Sequence, residues 1–451
     1  MSNESTKTNQ ITEGVIWKQL LIFFFPIVVG TLFQQLYNTV DAVIVGRFVG
    51  KGALAAVGGS SAVLSNLIIG CFTGLASGAS VIVSQFYGAK DKKNLHKGLH
   101  TAYAFSIVSS LILSVLGWIL TPWMLEAIHT PADTMADSIV YLRLYFLGML
   151  AVMIFNMGSS IMRAIGDSKK PLYYLIVCCI LNIILDYVAV VYLHMGIAGA
   201  AIATIISQAV SAILVTHALM TSYGILKLKL REIRFDYHTL KLQLRIGFPG
   251  GIQACMYSIS NIIIQSAIND FGTDTAAAWA AWGKLDALFW ALTSAFGLAI
   301  STFAGQNYGA KKTERIFKSV RVCTAMSFGV CGVLLTFIYI FCEPLFQIFT
   351  GDAGVVQIGV YMLRMILPSY ITYVFIEVLS GALRGIGDVF IPTVANMVGV
   401  CAVRIPFILI ILPRIYKIEI ILVSYPIAWI ATLLILIPYY FIRKRAIKNN
   451  L

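Results

Sequence analysis

The sequence predicts an all-α integral membrane protein of twelve transmembrane helices in two pseudo-symmetric six-helix lobes. Three observations predict it. Apolar stretches long enough to cross a bilayer recur along the chain, basic residues fall in alternate loops, and the second half repeats motifs of the first in one register.

The apolar stretches come first. With 59% hydrophobic and 12% charged residues and a mean hydropathy of +0.85, the chain lies outside the range of soluble globular domains. About 20 apolar residues in a helix cross the roughly 30 Å hydrocarbon core. The expected spans, helices 1 to 12, are residues 17–44, 54–82, 98–121, 138–161, 171–193, 197–221, 244–268, 276–303, 318–342, 357–382, 391–413 and 418–442. A β-barrel is excluded, because the runs are continuous rather than alternating. Residues 1–16 lack the basic head and cleavage site of a secretory signal and are expected to be a polar tail.

The net charge of +13 suggests nucleic acid until its distribution is examined. Loops after even-numbered helices hold Lys90, Lys92, Lys93 and Lys97, then Arg163, Lys169 and Lys170, then a basic linker at 222–243; odd-numbered loops are nearly free of Lys and Arg. By the positive-inside rule both termini and the linker are cytoplasmic, in a multi-pass protein of the cell membrane that binds no nucleic acid. The lobes are then 17–221 and 244–442, with a basic cytoplasmic tail at 443–451. No nucleophile elbow, P-loop or zinc-type cysteine spacing is present, so an enzyme is not expected, and neither is a cofactor. His96 and His100 are four apart and could share a metal, but no carboxylate completes a metalloenzyme motif and that loop end is basic, so none is expected there.

The repeat is direct. SQFYGAK at Ser84–Lys90 returns as GQNYGAK at Gly305–Lys311, and MRAIGDSKKP at Met162–Pro171 returns as LRGIGDVFIP at Leu383–Pro392. Gln85 and Gln306 stand 221 positions apart, as do Arg163 and Arg384. Because each half has six helices, the repeats start on the same side, and a ligand is expected in the cleft between the lobes. The glycine of R-x-I-G-D is read as a helix end that needs a tight turn.

Polar faces inside the spans carry the functional reading. A charged side chain at membrane depth costs at least about 2.5–3.5 kcal/mol on insertion scales, so it faces the bundle interior and has a partner or a task. On helix 1, Gln34, Tyr37, Asn38 and Asp41 fall within about 100° of one another. On helix 5, Asn182 and Asp186 are one turn apart; helix 6 offers Thr204, and helix 4 offers Tyr141 and Tyr145. Two carboxylates in one dry lobe disfavour double ionisation unless a cation lies between them. Their oxygens, with amide and hydroxyl oxygens, suit either a sodium ion or a proton.

These residues resemble the multidrug and toxic compound extrusion (MATE) transporters, and the DinF-like prokaryotic branch in particular. The resemblance rests on N-T-V-D-A-V-I-V-G around Asp41, the Q-x-Y-G-A-K loop, R-x-I-G-D in both halves and L-N-x-x-L-D in helix 5. It implies antiport: efflux of amphiphilic, often cationic compounds driven by entry of Na+ or H+, by a chain expected to act as a monomer in the lipid bilayer. Asp41, Asn182, Asp186 and Thr204 then form the coupling site, a possible Na+ site, with Tyr141 beside it. The NorM-like branch has an acid in helix 7 where this chain has Tyr257. Glu377 on helix 10 resembles that branch's acidic position, and an ion pair with Arg404 or Arg364 is the structural alternative.

On helix 8, Trp279, Trp282, Asp286, Phe289 and Trp290 share one face, so a carboxylate among aromatic rings could bind an organic cation. The alternative is a pair between Asp286 and Lys284. The substrate cleft is therefore expected to use Gln34, Tyr37, Asn38, Tyr141, Tyr145, Trp282, Asp286 and Glu377. The rival reading, a flippase for a lipid-linked saccharide, would line the cleft with several cations for pyrophosphate, and few lie mid-span.

Overall fold

In hydrocarbon no water satisfies a backbone N–H or C=O, so apolar spanning segments fold as helices that close their own hydrogen bonds. A computed structural model describes residues 10–449 except 129 and 225, and every regular element among the described residues is a helix. The first nine positions of the expected 1–16 tail and the last two of the expected 443–451 tail lie outside the described residues.

Among the described residues ten helices are long and apolar enough to cross a membrane, and the bent pair Ala132–Leu147 and Met149–Ala164 makes eleven. The remaining expected span, helix 7, is Tyr237–Asn269, whose glycines and polar side chains keep it below the same apolarity. Helix 1 is Ile16–Phe48 and helix 3 is Lys92–Ala127, six residues longer at each end than expected. Asp91 accounts for the early start: its side chain accepts the Asn94 N–H at 3.1 Å and caps the helix. Helix 12, Ile418–Asn449, likewise runs through the basic segment expected to be a tail. There Arg443 Nε meets Asp388 Oδ2 at 2.6 Å, so the charges find partners without leaving the helix.

The chain divides into two compact units, Phe25–Gly251 and a second formed by Ile252–Leu451 with the segment ending at Phe24. In Phe25–Gly251 the core is built on Leu99, Leu142, Phe146, Met149, Met153 and Leu219. Helix 2 (Ser60–Gly88) and helix 7 touch backbone to backbone through Gly74 and Gly78 on one and Gly247 and Gly251 on the other. A methyl group added at Gly78 would sit 2.1 Å from the Gln243 carbonyl oxygen. The linker is docked, not free: Leu226 and Leu228 are buried, and Lys97 Nζ meets Asp236 Oδ2 at 2.7 Å.

In the second unit, Gly297 and Ser301 of helix 8 (Thr273–Gly309) face Gly381 and Gly385 of the Tyr370–Gly385 helix. Each counterpart 221 positions earlier, Ala76, Ser80, Ser160 and Ala164, is also small, and Ser80 Oγ donates to the Ser160 carbonyl at 3.2 Å. The short Gln10–Glu13 helix belongs to this unit, where Lys312 donates to the Thr12 carbonyl and Arg315 to those of Ile11 and Gly14.

The repeat reaches the backbone. Lys90 and Lys311 have φ of 56° and 57°, and Gly166 and Gly387 have φ of 95° and 88°. At both R-x-I-G-D motifs the aspartate N–H bonds back to a helical carbonyl, Met162 at 3.0 Å and Leu383 at 2.9 Å. These are glycine-dependent helix ends.

Candidate functional site

The N-terminal unit brings four helices together around Asp41. Ile44 and Val45 of helix 1 pack with Tyr141 of helix 4, Val190 beyond helix 5 (Lys169–Tyr187), and Ala200 and Ala201 of helix 6 (Gly196–Thr221). On this apolar cluster Asp41 is 8% exposed, Asn182 1% and Asp186 0%. Asn182 Nδ2 donates to Thr204 Oγ1 at 3.3 Å, which leaves the Asn182 carbonyl oxygen outward. That oxygen, Asp41 Oδ1 and both Asp186 oxygens have no hydrogen-bond partner among the described residues. The two carboxyl groups interact with each other, at a distance where one proton between them makes a hydrogen bond.

Buried acceptors without donors are costly, so this is a pocket short of positive charge. All its unmet atoms are hard oxygens, the chemistry of a sodium site or of a carboxyl pair sharing a proton. The helix that presents Asp186 passes directly into a π-helical turn, Val188–Tyr192, a wide turn that recurs at functional sites. Tyr37, Tyr141 and Tyr145 gather beside the acids, with the Tyr141 and Tyr145 rings stacked at 6.3 Å. Gln34 and Asn38 lie exposed on the same helix.

A second constellation lies wholly within the C-terminal unit. A cavity of about 500 Å³ is lined by Trp282, Asp286, Trp290, Tyr373, Arg404 and Tyr425, among others. Asp286 does not pair with Lys284, which is exposed; it accepts the Trp290 indole N–H at 2.5 Å. Glu377 pairs with neither arginine proposed from sequence. It accepts the Tyr373 hydroxyl at 3.3 Å, while Arg404 stacks on Tyr425 and Arg364 on Tyr339. Tyr257, in the helix 7 position that is acidic in the NorM-like branch, donates to Asn396 Oδ1 at 3.4 Å.

Sequence reasoning missed the aromatic side supplied by helix 12, where Tyr425 and Trp429 are four apart and pack edge to face with centroids 5.8 Å apart. Their spacing was a usable signal. It also missed the partner of the two histidines: Glu232 of the linker reaches His96 at 2.8 Å, and the three side chains hold ligand atoms within 4.8 Å. His100 already uses both ring nitrogens, towards the His96 carbonyl and the Lys229 N–H, so the cluster is a closed linker clamp.

The same fold recurs in known proteins. The MatE family model matches residues 26–188 and again 249–410, one copy in each half. The probable multidrug resistance protein YoeA of Bacillus subtilis is 29% identical over 448 residues, covering 97% of this chain and 96% of that protein. The probable multidrug resistance protein NorM of Thermotoga maritima is 23% identical, covering 87% and 84%. A solved outward-facing multidrug resistance MATE transporter of the MOP superfamily superposes with a TM-score of 0.91 at 21% identity, over 99% of this chain and 100% of that one. A MOP superfamily transporter from Pyrococcus furiosus gives 0.90 at 21%, over 99% and 100%. With both halves matching one model and the fold shared end to end, the chain belongs to the MatE family of membrane transporters and is not an enzyme.

Proposed function

We propose that the protein is a multidrug efflux antiporter that exports amphiphilic and cationic organic compounds in exchange for Na+ or H+ by alternating access. One observation carries the coupling: four oxygens from Asp41, Asn182 and Asp186 are buried without a hydrogen-bond donor from any other side chain among the described residues. A cation or a proton supplies what they lack, and Thr204 holds the Asn182 amide so that its oxygen stays in the set. An ion drives a conformational cycle only if it binds the two states unequally, and a pocket of unmet acceptors gives it that purchase. The names of the relatives, multidrug resistance proteins, support the substrate class. Gln34, Tyr37, Asn38, Tyr141 and Tyr145 are the substrate-facing residues in this half, and Trp282, Asp286 and Glu377 in the other. Both termini are assigned to the cytoplasm from the basic loops.

The test is reconstitution. Liposomes carrying the protein are loaded with a fluorescent organic cation, and sodium and proton gradients are imposed separately on wild type, Asp41→Asn and Asp186→Asn. One gradient is expected to drive the dye in wild type, with a loss of about tenfold or more in each variant, the equivalent of about 1.4 kcal/mol or more. If neither gradient moves the dye, the antiporter reading fails. Transport that survives both substitutions would spare the function and overturn the ion site.

A further inference from the structure

The repeat places one arginine in each half over one aromatic ring. The Arg143 guanidinium carbon lies 5.3 Å from the centre of the Trp118 ring, and that of Arg364 lies 5.8 Å from the centre of the Tyr339 ring. Both members of the second pair stand 221 positions after those of the first. Each ring lies in the half of its helix remote from the basic loop, Trp118 in helix 3 and Tyr339 in the last turn of helix 9 (Thr313–Ile340). An aromatic ring beside a long cationic side chain suits the depth at which hydrocarbon gives way to lipid headgroups.

The two copies then diverge. Arg143 is half-buried, and its Nε donates to the Trp118 carbonyl at 3.4 Å. Arg364 is exposed and lines a cleft of about 640 Å³ in the C-terminal unit, together with Glu343 of the Cys342–Gln347 helix and with Gln357 and Tyr361 of its own helix, Ala353–Ile366. Tyr361 is fixed from outside the cleft, since its hydroxyl donates to Glu419 Oε1 at 2.7 Å. The ion pairs among the described residues join other side chains, so Arg364 and Glu343 face one cleft without neutralising each other. The position equivalent to Glu343 in the first half is Pro122, so the acid belongs to the second copy alone. Around Tyr339 the surface is apolar, with Phe337, Ile340 and Phe341 exposed.

A solitary anion would meet Arg364 and be repelled by Glu343, and a solitary cation would meet the reverse. A phosphodiester that carries a primary ammonium answers both side chains, and acyl chains attached to it would lie on the exposed apolar residues beside Tyr339. We propose that this cleft binds the headgroup of phosphatidylethanolamine, with the phosphodiester on the Arg364 guanidinium and the ammonium on Glu343. The ring of Tyr339 occupies one face of the guanidinium and leaves its N–H edge to the phosphate. The orientation assigned from the basic loops makes the lipid one of the non-cytoplasmic leaflet. The inference does not depend on the efflux reading.

The test compares two lipids with the same chains, dilauroyl phosphatidylethanolamine and dilauroyl phosphatidylglycerol, which share the phosphodiester and differ in the ammonium. Their binding to the purified full-length protein in detergent is read by native mass spectrometry as the apparent dissociation constant of the first lipid bound. Wild type is expected to bind the ethanolamine lipid about tenfold or more tighter, the scale of one charge-assisted contact. Arg364→Gln is expected to weaken the ethanolamine lipid by about tenfold or more, and Glu343→Gln to bring the two lipids level. Arg143→Gln, at the equivalent position of the other half, is expected to leave the wild-type preference in place. Equal binding of the two lipids by wild type, an ethanolamine affinity unchanged in Arg364→Gln, or an equal loss in Arg143→Gln would each overturn the proposal. Should Arg364→Gln fail to fold, the wild-type ratio and the exposed Glu343→Gln variant test it without that variant. Glycerophosphoethanolamine, the headgroup without chains, is expected to compete poorly; displacement of the lipid at a concentration equal to the lipid's own would reassign the cleft to soluble phosphodiesters and overturn the lipid site.

Discussion

Asp236 and Asp186 are the same residue type with opposite surroundings. The Lys97 ammonium beside Asp236, with the Thr239 hydroxyl and N–H, holds its carboxyl well below the usual carboxylate range. A carboxyl lowered on folding stabilises the folded state above its unfolded value, about 3.9, and that contribution is lost as pH falls through the lowered value. Protection of the Thr239 amide, its exchange rate measured against the intrinsic rate at each pH, is therefore expected to hold from neutral pH down to about 4 and to fall below it. Asp236→Asn should bring fast exchange already at neutral pH; unchanged protection there would show that the ion pair does not dock the linker. Asp186 has no such donors, and neither does Asn182 Oδ1. Asp41 and Asp186 were legible in sequence because a carboxylate in an apolar span is conspicuous, whereas Asp236 looks like any polar loop residue until Lys97, 139 positions away, is folded against it.

At the scale of helices, the spans were legible and their contacts were not. Apolar run length gives a span, but the approach of two helices is set by the residues without side chains. Gly74 and Gly78 meet Gly247 and Gly251 with little room for a Cβ, and the obstacle at Gly78 is backbone, which cannot rotate aside. Gly78→Ala is expected to destabilise by about 1–3 kcal/mol through overpacking. The readout is the apparent melting temperature in detergent, with Gly329→Ala as control, since a Cβ there meets nothing within 4 Å. The control should be neutral or slightly stabilising. Equal shifts for both variants would reject close packing as the cause. The helix breaks follow the repeat as well: helix 4 turns by 51° at Gly148, and helix 10 passes through a 3-10 turn at Leu367–Ser369, with Ser369 lying 221 positions on.

For the whole molecule, helix 1 is divided between the two compact units after Phe24 and just before Pro26, as helix 7 is after Gly251. Pro26 lacks an N–H, so the helix has a missing bond next to that division. A proline inside a helix costs about 3 kcal/mol, and Pro26→Ala should favour the regular helix by a comparable amount. Slower gradient-driven turnover with unchanged dye affinity is the expected result in liposomes; an unaltered rate would remove Pro26 from the cycle.

What the sequence by itself determined is the membrane class, the helical spans and the 221-residue register of the repeat. These depend on run length and on motifs compared along the chain, which are local quantities. Only the tertiary structure decided which polar atoms meet. It put Asn182 on Thr204, Arg404 on Tyr425 rather than on Glu377, and Glu232 on His96. It also decided which buried oxygens have no donor from another side chain among the described residues, Asp41 Oδ1, Asn182 Oδ1 and both of Asp186. The physical reason is that a side chain's partner is chosen by packing between helices distant in sequence, and a composition that names every donor and acceptor does not say which of them share a pocket.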